Sequence, residues 1–185
     1  SSLFILLIVL GLALSFGSYK VTFIDYLYSD MSKIQESVFI KIRFPRVLLS
    51  AFVGASLATS GACLQGLFRN PLADPGLIGV SAGAALGATS FIVLGSSFMQ
   101  DSIANPYLLP ISSILGSAFV ISGLFFITKG FGKEGITYLL LAGIAVNAFA
   151  GVGIGILTYI SNDSELRGLT FWTMGSFGGT TISMI

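Results

Sequence analysis

Two arginines, Arg43 and Arg46, stand three residues apart at the head of an uncharged run. At that spacing they share one face if the helix has already begun. Guanidinium groups so placed suit bidentate pairing with carboxylates; the plainer reading is snorkelling at a membrane surface. The run Val47–Phe68 leads to Asn70-Pro71-Leu72-Ala73-Asp74-Pro75-Gly76. Its prolines stiffen the loop, Leu72 offers an apolar plug, and Asn70 can cap a helix–helix turn. Arg69 and Asp74 read as a solvated loop pair. Gln65, inside the run, is an amide that is costly in lipid unless paired, so it is expected to face protein or a water-filled path. Asn147, in a later apolar span, joins it as a candidate for the pathway or for helix packing.

These residues do not form an active centre. The chain has no histidine and one cysteine, which excludes Ser-His and Cys-His mechanisms for this segment. A single cysteine also rules out an intrachain disulfide and a cysteine cluster for a metal. Cys63 sits among small residues and reads as a packed core thiol. No cofactor and no metal site is expected. The acids fall in loops or at helix ends, so none reads as an intramembrane proton relay. Gly130-Phe131-Gly132-Lys133-Glu134-Gly135 matches the dinucleotide fingerprint. Its flanks are membrane-length, however, and the position where a ribose-binding acid belongs is apolar. It is read as a tight inter-helix turn. A formal net charge of +1 leaves no basic face for nucleic acid. The work must be conformational, driven by a partner.

The elements that must position these residues are membrane helices. Only 9% of residues are charged, against about 25% in soluble domains. A spanning helix needs about 20 mostly apolar residues. Uncharged stretches predict spans at 1–19, 47–68, 76–100, 106–128 and 136–160 and the start of a sixth span at 176–185, and a helix-start signal at Asn162 predicts a short helix at 163–174. The run Ser1–Phe16 lacks a charged leader and a good cleavage site, so it is read as a first membrane helix and not a signal peptide. Lys20–Ile42 is read as a loop, with Tyr19, Phe23, Tyr26 and Tyr28 suited to the interfacial belt.

Gly54, Ala58, Gly61 and Gln65 share one helical face, and Gly79, Gly83 and Gly87 recur every four residues. Such rows let helices approach closely. Asp74-Pro75 is an N-cap followed by proline at the first helical position, and Asn105-Pro106 can start the fourth span likewise. Pro110 then either kinks that helix or marks its true start. Asn162 with Glu165 fits a capping box. The chain does not begin with an initiator and stops in an apolar run, so a fragment of a longer protein is expected.

In order, the chain carries Arg43-Phe44-Pro45-Arg46, a Gly- and Ala-rich helix, Gln65, Asn70 to Gly76, and Gly79-x-Ser81-x-Gly83. This series resembles the permease subunits of bacterial ABC importers for iron-siderophores, heme and vitamin B12. The resemblance covers most of the chain and is weakest before Lys41. It implies an all-α polytopic membrane protein, the first five to six helices of a ten-helix ABC importer permease. Leu169 to Ser176 is most similar to the heme-transporting branch. The implied partners are a second permease copy in a homodimer, two ATPase subunits, an extracellular or periplasmic substrate-binding protein, an iron chelate (heme or siderophore) and the bilayer of a bacterial inner membrane. The resemblance further implies that Arg43 and Arg46 dock the binding protein and that Asn70 and Leu72 narrow the inner end of the pathway.

The family's main ATPase-contacting helices fall past Ile185, so this segment is expected neither to hydrolyse ATP nor to transport alone. The resemblance also places the amino terminus inside. Lysine and arginine counts then favour the outer side, against the positive-inside rule. A vitamin B12 permease is the alternative within the family. An ATP-independent channel or secondary transporter is the alternative outside it, and predicts a pathway acid or half-helix ion site. A purely structural membrane anchor predicts no ordered loop motifs.

Overall fold

A computed structural model of the chain describes residues 2–17, 19, 28, 32–98, 107–130 and 135–182. Regular structure among them is helical throughout. The chain divides into two compact units, Ser1–Ala58 with Ser176–Ile185, and Thr59–Gly175.

In the first unit, α1 is Ser2–Ser15, and it is followed by residues 33–58 of a long helix, α2, Lys33–Phe68. α2 begins well before Val47, so the expected loop over 20–42 is helical from Lys33 onward. The cause is a capping box: Ser32 Oγ accepts the Gln35 N–H at 3.3 Å, and the Gln35 side chain accepts the Ser32 N–H at 2.8 Å. One turn of α2, Phe39–Arg43, is π-helical, with the Phe44 N–H bonded to the Phe39 carbonyl. Pro45 explains it. Proline has no N–H to give and its ring crowds the carbonyl four residues back, and a wider turn just before it relieves that crowding.

The second unit packs four α-helices and a 3-10 turn. The turn, Pro75–Ile78, precedes α3, Val80–Phe98. Then come α4, Leu108–Thr128, α5, Gly135–Ile160, and α6, Asp163–Met174. The third span was expected to run as one helix from Gly76. Instead, the α-helix starts at Val80, because Gly79 takes a left-handed φ of 82° that breaks the helix. Pro110 falls in the first turn of α4, where the helix leaves N–H groups unpaired in any case. Asn105 and Pro106 lie outside the described residues, as do Phe23, Tyr26 and residues 131–134 of the Gly130–Gly135 motif. Asn162 accepts the Ser164 and Glu165 N–H groups, both at 3.0 Å, and starts α6. After α6, residues 175–182 hold no α-helix where a sixth span was expected to start. Gly175 and Gly179 adopt φ of 68° and 77° there, which ends the helical path.

α2, α4 and α5 are long and apolar enough to cross a membrane, and α1 and α3 carry shorter apolar stretches. The core of the second unit lies where α3 meets α4 and α5, around the buried Ala88, Val93, Leu124 and Ala150. Glycines set the α3–α4 distance. A Cβ at Gly83 would lie 2.6 Å from Val120 Cγ2 and 2.8 Å from the Gly116 carbonyl oxygen. Gly87 meets the Ser112 carbonyl and Gly116 in the same way. The two backbones therefore touch, and dispersion contacts are made along the whole seam.

Candidate functional site: an anchored loop and an arginine pair

The C-terminus of α2 is closed by a left-handed cap. Arg69 has φ 49°, its N–H reaches the Gly66 carbonyl at 3.4 Å, and the Asn70 N–H reaches the Gln65 carbonyl at 3.2 Å. This paired arrangement satisfies the last carbonyls of a helix and normally uses glycine at the left-handed position. Asn70 Oδ1 then accepts the Leu72 N–H at 2.9 Å, and the Asn70 carbonyl accepts the Ala73 N–H at 3.1 Å. The loop is thus a tight turn held by its own asparagine. It buries Ala73 and projects Leu72, which is 85% exposed.

Asp74 caps the next segment as expected, with Oδ1 accepting the Gly76 N–H at 2.7 Å and Pro75 following it. The segment so capped is the 3-10 turn and not a membrane helix. α5 anchors that turn. Asn147 Nδ2 donates to the Gly76 carbonyl at 2.9 Å, across 71 residues of chain. One helical turn earlier, Gly143 lets the Leu77 carbonyl and Ile78 lie directly on the α5 backbone. Gly79 is buried against Val146. Gly143 stands eight residues into α5, about 12 Å along its axis. Non-helical backbone at such a depth is tolerated only against protein or beside water. Here the Gly76 oxygen is satisfied twice, by the Gly79 N–H at 3.1 Å and by Asn147.

The two arginines part company. Arg43 is only 9% exposed. Its Nη1 donates to the Leu14 and Ser15 carbonyls, each at 3.1 Å, and its Nη2 donates to the Tyr19 carbonyl. Arg46, one turn on, is exposed and borders a cleft of about 520 Å³ that Phe16, Ile42 and Phe177 also line.

The remaining candidates scatter. Gln65 is exposed, and so is Cys63, which was expected to be a packed core thiol. A Cβ added at Gly54 or Gly61 would meet nothing within 4 Å. Gly79, Gly83 and Gly87 do not act as one row: Gly79 serves the turn against α5, while Gly83 and Gly87 serve the seam with α4. Gly143, one of several glycines in the fifth span read as narrowing it for close packing, and Gly116 complete these contacts. Gly116 was not singled out from sequence, its signal being one glycine among many in an apolar run. Among the described residues, no group of three or more His, Cys, Asp or Glu side chains could hold a metal.

Known proteins are similar to this chain in sequence and in fold. The chain is 42% identical over 181 residues to the hemin transport system permease protein HmuU of Yersinia pestis, covering 95% of this chain and 52% of that protein. It is 40% identical over 162 residues to YfiZ of Bacillus subtilis, described as a probable siderophore transport system permease protein, covering 85% of this chain and 46% of that protein. The chain thus spans about half the length of these relatives. A solved structure described as a putative metal-chelate type ABC transporter, in an inward-facing conformation, superposes with a TM-score of 0.80 at 32% identity, over 98% of this chain and 54% of that one. Residues 3–185 match the FecCD transport family, and the chain belongs to that family.

Proposed function

We propose that the full-length protein is the membrane permease subunit of an ATP-driven importer of an iron chelate, with heme or a ferric siderophore as cargo. The observation that carries this reading is the 42% identity to a hemin permease along nearly the whole chain. In this reading two permease copies form the pathway in a bacterial inner membrane, two ATPase subunits bind on the inside, and a binding protein delivers the chelate outside. The permease itself does no covalent chemistry. Arg46 meets an acidic residue of the binding protein, and Arg43 stands beside it at the same helix entrance. The Asn70–Gly79 loop closes the inner end, with Leu72 as the apolar stop and Asn147 as its anchor. The loop geometry supports this role, since a gate must be stiff and held from a second helix.

The test is uptake by the full-length permease, reconstituted in vesicles with its ATPase and binding protein. We expect ATP-dependent accumulation of heme or of a ferric siderophore, and none without the ATPase. Accumulation that is independent of ATP overturns the importer reading. ATP-dependent uptake of vitamin B12 alone overturns the cargo assignment.

A further inference from the structure

We propose that Arg43 is a positioning residue that clasps the end of α1 to the entrance of α2, and that Arg46 is the docking cation of the pair. The inference rests on the docking role proposed above and divides it between two residues of identical type.

The last carbonyls of any helix have no partner within it, and they carry the negative end of the helix dipole. α1 ends at Ser15 with no basic residue in its last turn. Arg43 supplies what is missing, from 28 residues along the chain, by bonding the Leu14 and Ser15 carbonyls and the Tyr19 carbonyl after them. A planar guanidinium can serve three acceptors at once, whereas an ammonium is a point charge on a flexible stem. The seat is built to fit. A Cβ at Gly17 would lie 2.8 Å from Arg43 Cζ, so any larger residue there would push the guanidinium from this seat. The π turn Phe39–Arg43 places Phe39 and Arg43 together on the buried side, with Pro45 next to them. The Arg-x-Pro-Arg spacing thereby acquires a mechanical reading. Pro45 sets the π turn, the π turn aims Arg43 inward, and Arg46 is left on the open side. A guanidinium committed to three carbonyls has few donors left for a carboxylate on another protein.

The experiment uses the full-length transporter in vesicles with its binding protein. Association is measured over a series of salt concentrations, and thermal stability is measured in parallel. Arg46→Gln should weaken association roughly tenfold at low salt and flatten its salt dependence, while Arg46→Lys keeps most of both. Arg43→Gln and Arg43→Lys should lower the melting temperature alike and leave the salt dependence as in wild type. Gly17→Ala, which crowds the seat and keeps both charges, should reproduce the Arg43 phenotype; it covers the case in which Arg43 variants fail to fold. Flattening of the salt dependence by Arg43→Gln, with rescue by Arg43→Lys, overturns the division of roles. A melting temperature unchanged in Arg43→Gln and Gly17→Ala overturns the clasp. Association unchanged in every variant overturns the docking role itself and leaves the clasp to be judged by the melting data alone.

Discussion

Single atoms decide how the Asn70–Gly79 loop behaves. The Asn147 amide binds α5 to the 3-10 turn, and Leu72 is the apolar group that the preceding loop presents. Removing the amide forfeits a hydrogen bond of about 0.5–1.5 kcal/mol and leaves the Gly76 carbonyl with the Gly79 N–H but no tie to α5. Asn147→Asp does the same, because an ionised carboxylate cannot donate. We expect Leu72→Ala, Asn147→Ala and Asn147→Asp each to raise the ATP-independent leak of substrate from loaded vesicles, with the complex still assembled. A leak equal to wild type in all three returns Leu72 to the status of a surface turn. Asn70, Leu72 and Asp74 could be placed from their types alone, since proline, asparagine and a capping acid act on the few residues around them. Arg43 could not. Its direction depends on a π turn and on an acceptor set 28 residues away, which no local pattern reveals.

Between elements, the close seam of α3 and α4 is the feature with the sharpest energetic consequence. Gly83 and Gly87 face Gly116 so closely that any side chain must push the helices apart. Gly83→Ala should therefore cost about 1–3 kcal/mol from overpacking, and Gly83→Leu more. Thermal unfolding of the full-length protein in detergent reads this directly; an unchanged melting temperature for Gly83→Leu would falsify the seam as a stability determinant. The glycine spacing was visible in sequence, but the division of labour along it was not. Periodicity says which residues share a face and not which neighbour that face meets. The same limit applies to helix ends. Length and apolarity pointed to the long apolar helices, whereas the early start of α2 and the late start of α3 depend on Ser32–Gln35 capping and on the left-handed Gly79.

For the whole molecule, the face of α2 bearing Gly54, Ala58, Gly61 and Gln65 matters most. Gly54, Ala58 and Gln65 are exposed, and open space surrounds Gly54 and Gly61. In the proposed dimer it has a natural partner in a second permease copy or in the remainder of the full-length chain. A Cβ at Gly61 meets nothing within 4 Å in this chain, yet in the full-length protein Gly61→Leu should reduce the dimer fraction measured in mild detergent. Equal dimer content and yield would assign the face to lipid. The α3–α4 seam has a different consequence, in time. It joins two helices that are neighbours in sequence, so it can close while α5 is still being made, without waiting for a distant partner. Residues that shape it act early, during biogenesis. Substitutions there decide how many copies survive to maturity, while in the proposed importer those at Asn147 decide how well each surviving copy keeps its cargo on one side.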